Sequence, residues 1–323
     1  MKREFGLASI ACFGKLPSSG DFVRSAQQPA IMDALDAWLA QSMTLLADDP
    51  RWKARYDTAP AVNFVIAGPR RGHAIAGRIH ASRDRAGRRY PLLLASVVAL
   101  DDPARALQAA PVLYRPLWDR MASHGVALLA AADAGALLNA PAPSMPLPAL
   151  DECGALCAAY AAEHQFGALG DALAQAGYRG TAADLLLALA ALLKPVAHSD
   201  LSELGSCLRL PLPLGAGAGL AAAWYLQLIG PMLQEGDLEL ALLFPDDRAE
   251  LVLGFAGASP QVLCAALDPA AADDTQVDLF DSAWAFDAAC ADPDLQRLSC
   301  YLGHRALSLQ ALRGHFLQCL EET

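Results

Sequence analysis

The sequence predicts an α/β protein: a central mixed, largely antiparallel sheet covered by helices, with a helix-rich second part. Three observations predict it. The first hundred residues read as a strand, an amphipathic helix and three further strand-like segments. Hydrophobic residues make up 54% of the chain, and much of that is alanine, a helix former before it is a core filler. A proline-rich segment then separates this opening from an alanine- and leucine-rich remainder. With 323 residues, of which only 18% are charged, the chain can bury a large core.

Taken in order, Leu7 to Phe13 reads as a buried strand, and Ile31 to Leu46 places Ile31, Leu35, Trp38, Leu39, Leu45 and Leu46 on one helix face. Ala61 to Ala67 is a second strand. Gly68, Pro69 and Gly72 punctuate a turn, after which Ala74 to Ala81 is expected to pair with Leu92 to Leu100 across SRDRAGRRYP, making these neighbours antiparallel. Asp102 and Pro103 open a helical stretch through Arg120, with further helices to Leu138. Four prolines in Asn139 to Leu150 mark a linker. The organisation expected is therefore an N-terminal α/β domain at 1–138, a linker at 139–150 and a second part at 151–323, packed against the first. In that second part, Asp151 to Lys194 reads as two or three helices ended by Pro195. Leu238 to Phe244 and Glu250 to Phe255 read as a hairpin joined by PDDRA, and Pro260 to Leu267 and Leu295 to Leu320 as helices.

Leu210 to Gln234 carries no charge and is long enough on paper to span a membrane, but its prolines and glycines leave only about 13 good helical residues where a span needs about 20. It is read as a buried core helix. The N-terminus has no secretory-signal pattern, so a cytoplasmic protein is expected. The eight cysteines and seven histidines show no metal-ligand spacing, and neither a metal nor a cofactor is expected. GxSxG and HExxH are missing, so no catalytic residue is assigned.

Charge divides the chain. Residues 1–100 hold 14 Lys and Arg against 8 Asp and Glu, net +6; residues 101–323 hold 10 against 27, net −17. Arg70, Arg71, Arg78, Arg83, Arg85, Arg88 and Arg89 fall within twenty residues. Such a cluster attracts an acidic or phosphorylated protein, nucleic acid, or the acidic half of its own chain. Overall acidity and the lack of interleaved aromatics argue against nucleic acid.

The segment FGKLPSSGDF, Phe13 to Phe22, has the look of a phosphate cradle. Its order is wrong for one, however. Lys15 follows the first glycine instead of the second, and Pro17 removes a backbone N–H that a cradle would use. A plainer reading has Pro17 and Gly20 shaping a turn while Asp21 caps the next helix or pairs with Arg88, leaving Lys15 and Arg24 exposed.

That loop, followed by the Trp-containing helix DALDAWL, then APAVNFVIAG and SRDRAGRRYPLLLA, resembles the TagF family, also called ImpM, of type VI secretion-associated proteins. The matching positions are Gly14, Lys15, Leu16, Pro17, Gly20, Asp21 and Phe22, then Asp84, Gly87, Arg88, Tyr90, Pro91 and Leu92. The resemblance is strong over residues 1–100 and weaker beyond, where Phe244 stands alone at a strand that is aromatic-rich in many members. It implies a non-enzymatic, post-translational repressor of type VI secretion that binds a cytoplasmic forkhead-associated (Fha) component. Gly14, Lys15, Pro17, Gly20, Asp21, Arg24, Asp84, Gly87, Arg88 and Tyr90 are the candidate partner-binding or structural motif. Two other classes stay open: a small-molecule or anion-binding protein or enzyme using Lys15, Asp21 and Arg88, and a structural subunit of the secretion apparatus.

Overall fold

The computed structural model describes residues 8–25, 29–140, 143–196, 207–231, 238–269 and 276–321. Its strands are β1 (Ala8–Ser9), β2 (Ala11–Gly14), β3 (Val23–Arg24), β4 (Val62–Ala67), β5 (His73–His80), β6 (Leu92–Ala99), β7 (Ser144–Met145), β8 (Cys207–Pro211), β9 (Leu240–Pro245), β10 (Glu250–Gly254) and β11 (Gln276–Asp278). The helices are α1 (Pro29–Leu46), α2 (Trp52–Asp57), α3 (Pro103–Leu113), α4 (Arg115–Ala130), α5 (Gly135–Asn139), α6 (Leu150–Glu163), α7 (Phe166–Gln175), α8 (Ala182–Leu193), α9 (Gly217–Ile229), α10 (Pro260–Leu267), α11 (Ala285–Ala291), α12 (Pro293–Leu302) and α13 (Leu309–Glu321).

One nine-stranded sheet, in the order β11-β8-β10-β9-β4-β5-β6-β2-β3, organises the protein. Every pairing in it is antiparallel except that of β11 with β8. The mixed, largely antiparallel α/β architecture is as the sequence predicts, including the β5–β6 pairing, which aligns His80 with Leu92. The sheet crosses from the first part of the chain to the second where β9 joins β4, with Val62 opposite Pro245 and Ala67 opposite Leu240.

Side chains alternate along each strand and both faces are covered, which is why the strands read as largely apolar runs. Phe64, Ile66, Leu93, Ala95, Ala241 and Leu243 face α1 and α10. Val65, Ala67, Leu92, Leu94, Leu240 and Leu242 face the thicker layer built on α3, α4 and α9. Two tryptophans tie the layers to distant backbone: Trp38 Nε1 donates to the carbonyl of Ser259 at 2.8 Å and Trp118 Nε1 to that of Phe64 at 3.2 Å. Helix α9 is the buried core helix expected near Trp224, and among the described residues no helix is long and apolar enough to cross a membrane.

Several elements differ from expectation. The expected first strand is two short strands, because Ile10 leaves the ladder and its N–H donates to Pro143 O; Leu7 lies outside the described residues. The proline-rich segment contains β7, which pairs only with β1 in a separate ribbon. The stretch from Pro103 to Arg120 is not one helix: α3 ends at Leu113, two residues beyond Pro111, and α4 restarts at Arg115 with Pro116 in its first turn. The C-terminal stretch likewise divides at Gly303 into α12 and α13.

A buried polar group sits between β5 and α4. Arg78 donates from Nη1 to Asn63 Oδ1 at 2.7 Å, pairs with Asp246 across the sheet, and donates from Nε to His80 Nε2 at 3.2 Å. Burial, reinforced by the adjacent Arg78 charge, pushes the His80 pKa down to about 4 from its ordinary 6.5. The unfolded chain therefore takes up this proton first. His80 should cost the fold roughly 3 kcal/mol as pH falls from about 6.5 to about 4, and nothing further below that. Urea unfolding across that window should show a shallower pH slope for His80→Gln than for the wild type. Equal slopes would mean that His80 takes its proton as readily in the fold as out of it.

Candidate functional site

The site is a corner at the β2–β3 edge of the sheet, where the loop 15–22 meets the β5–β6 connection. Gly14 ends β2 with φ +135°, a region that L side chains rarely adopt, and a Cβ there would lie 2.0 Å from the carbonyl oxygen of Pro91. The close approach brings the two motifs together: Ser82 Oγ donates to Lys15 O at 2.7 Å and Arg85 N–H to Ser19 O at 2.8 Å.

Asp84 holds the corner. Its carboxylate is fully covered and accepts hydrogen bonds from the N–H groups of Ala86 (3.0 Å) and Arg88 (2.9 Å), from Arg88 Nε (2.7 Å) and from Lys15 Nζ (3.0 Å). Burial alone would raise its pKa. The backbone N–H of Arg88 and the side chains of Lys15 and Arg88 outweigh that and hold the carboxyl well below the usual carboxylate range. Gly87, at φ +81°, lets the chain turn tightly enough for its N–H to reach Asp84 O at 2.9 Å. Arg88 completes the tie by donating from Nη2 to Gly20 O at 2.8 Å.

Above this ionic base sits an aromatic group. Phe13 and Phe22 stack at 5.5 Å, Tyr90 meets the Phe22 ring edge-on at 5.0 Å, and Lys15 Nζ lies 5.0 Å from the Phe22 centroid. Tyr90 donates its hydroxyl to the Asp36 carboxylate on α1; burial and that carboxylate raise the phenol well above its ordinary pKa. Phe22 remains 46% exposed, a large apolar side chain displayed at the surface. Three exposed arginines belong to the same corner: Arg24 by the Phe13 ring, Arg85 through its N–H to Ser19 O, and Arg88 through Nη2 to Gly20 O. Arg24 pairs with Asp33 on α1 and its guanidinium lies 5.7 Å from the Phe13 ring.

Two expectations are corrected here. Lys15 is buried, because Asp84 supplies a counter-charge and the Phe22 ring covers it. Asp21 neither caps a helix nor pairs with Arg88: its carboxylate accepts the N–H of Phe22 at 2.8 Å, and α1 begins only at Pro29. Lys15 and Arg88 do meet, through Asp84 instead of Asp21. Pro17 and Gly20 are exposed in the turn. The sequence places Phe13, Leu16 and Phe22 beneath the loop as anchors; Phe13 and Leu16 are buried there, whereas Phe22 stays 46% exposed, and its stack with Phe13 and Tyr90 is what sequence reasoning misses.

No curated protein matches the chain. The crystal structure of PA0076 from Pseudomonas aeruginosa PAO1 is similar at 30% identity, with a TM-score of 0.37, over 43% of this chain and 65% of that one. This chain thus spans less than two thirds of that protein's length. Residues 11–138 match the family described as TagF N-terminal domain, Type VI secretion system-associated, a span that includes every residue of the corner. Residues 11–138, the segment that carries the corner, are thus similar to a TagF N-terminal domain.

Proposed function

We propose that the protein is a non-enzymatic, cytoplasmic regulator that represses type VI secretion after translation by binding a forkhead-associated (Fha) component through the corner. The observation that supports this reading is an exposed Phe22 above the Lys15–Asp84–Arg88 ionic base, with the exposed Arg24, Arg85 and Arg88 in the same corner. Interfaces draw most of their energy from such aromatic and arginine anchors, and a basic rim selects an acidic or phosphorylated surface. Repression follows by mass action: a ligand of the unassembled Fha component shifts its population away from assembly by its differential affinity.

The test is Phe22→Ser combined with Arg85→Glu, two exposed side chains that make none of the hydrogen bonds to Asp84. Titration calorimetry against the purified Fha component, run below the melting transition of both variant and wild type, should show affinity falling by about tenfold or more, which is about 1.4 kcal/mol, with the far-UV circular dichroism spectrum unchanged. Undiminished binding by the variant, or no binding by the wild type, would sink the proposal.

A further inference from the structure

A hollow of about 430 Å³ lies where the second part of the chain packs on residues 11–138. That volume is in the range of about 300–1,000 Å³ usual for a ligand site. Helices α3 and α4 and strands β4 and β5 line it from the first part, and α9, β9 and β10 from the second, so it is complete only in the full chain. Trp118 and Phe244 supply its aromatic surface, with ring centroids 5.3 Å apart; the Trp118 ring is buried, and Phe244 is half-buried.

The lining carries four carboxylates, and a guanidinium answers each one. Asp246 pairs with Arg78, Asp119 with Arg115 at 3.1 Å and Asp247 with Arg248 at 3.7 Å, while the buried Glu250 takes both Arg248, at 2.7 Å, and Arg209. The hollow is therefore polar without being charged. Its outer groups nevertheless keep hydrogen-bonding capacity among the described residues. Arg115 spends only Nε on Asp119, which leaves Nη1 and Nη2 to donate and Asp119 Oδ2 to accept. Asp247 is too far from Arg248 for a hydrogen bond, so both of its oxygens remain acceptors. Arg115, Asp119 and Asp247 are 59%, 65% and 53% exposed, so a guest can reach them.

This lining sorts ligand classes by what each would leave unpaired. An anion or a cation would bring a charge for which no free counter-charge remains. An apolar guest would cover Arg115 and Asp247 without returning their hydrogen bonds to water. A neutral guest with many hydroxyls avoids both penalties, because each hydroxyl donates and accepts and so fits a mixed rim of guanidinium N–H groups and carboxylate oxygens. A sugar ring adds a face of C–H groups that can lie against an aromatic side chain, which Phe244 offers. We propose that the hollow is a binding site for a neutral saccharide, held by Arg115, Asp119 and Asp247 at its hydroxyls and by Phe244 at its ring face. The site shares no residue with the Phe22 corner and does not depend on what the corner binds.

The test titrates the full chain with cellobiose, maltose and lactose, read by saturation-transfer NMR on the sugar. At least one should bind saturably, in the millimolar range or below. Glucose should displace it, whereas glucuronate, spermidine and glycine, an anion, a cation and a zwitterion, should not. Arg115→Ala with Asp247→Ala removes a donor and an acceptor that are both exposed, and should weaken binding by about tenfold or more with the far-UV circular dichroism spectrum unchanged. Phe244→Leu keeps an apolar side chain but loses the ring, and should weaken it comparably under the same check. Phe22→Ser with Arg85→Glu should bind the sugar as the wild type does. The proposal is overturned if none of the three disaccharides saturates, if the Arg115/Asp247 or Phe244 variant binds normally, or if the corner variant loses binding. Displacement by glucuronate, spermidine or glycine as effective as that by glucose would equally overturn it, since the hollow would then select charge.

Discussion

Gly14→Ala should cost on the order of 3 kcal/mol or more, enough to threaten the fold of the whole first part. Two penalties add at this position. The φ of +135° strains any L residue, and the new methyl would sit 2.0 Å from Pro91 O and 2.9 Å from Leu92 Cα, both of them backbone atoms that cannot rotate away. Relief would require β2 to separate from β6, opening the junction where the two motifs meet. Gly87→Ala is the internal control. Its φ is also positive, at +81°, but a Cβ there meets nothing within 4 Å, so strain alone should cost about 1 kcal/mol. Urea unfolding of the two variants separates collision from strain, and equal losses would show that β2 and β6 yield without penalty.

Asp84→Ala should be the most damaging side-chain change at the corner. It strands the Lys15 ammonium, 8% exposed, without its counter-charge and leaves the N–H groups of Ala86 and Arg88 without acceptors. Arg88→Ala should cost much less, because that side chain is 63% exposed and water can replace it. The diagnostic is the double variant Lys15→Met with Asp84→Ala. Removing both members of a buried pair spares the cost of an uncompensated charge, so the double should melt above Asp84→Ala alone. If Asp84→Ala melts no lower than Arg88→Ala, Asp84 is not the centre of the corner.

The sequence made the central sheet legible because strands buried on both faces are largely apolar. Val62–Ala67 and Leu92–Ala99 are such runs, each with a single polar residue, Asn63 and Ser96, and the turn residues between them are unmistakable. It was less informative about β8, where Cys207–Pro211 is short and closes on Pro211, and about β3, β7 and β11, which are two or three residues long and owe their existence to neighbours far along the chain. At the corner, the motif residues could be read but their depth could not. A lysine in a glycine-containing loop reads as solvated until a carboxylate 69 residues later is seen to cover it, and Asp84 reaches Lys15 only because β2 and β6 are adjacent.

The junction of β4 with β9 has a consequence for the part of the chain that carries the motifs. Val62–Ala67 lies in the interior of the sheet, yet one of its two partners comes from beyond residue 239. Stripped of that partner, the strand would present six residues of unpaired backbone, with Phe64 and Ile66 on the side that α10 also covers. Such a bare apolar edge is a template on which a second chain can add a strand, and growth by addition leads to aggregate. The second part is therefore a gatekeeper: by filling that edge from within the same molecule, it keeps the motif-bearing half from polymerising with its own copies.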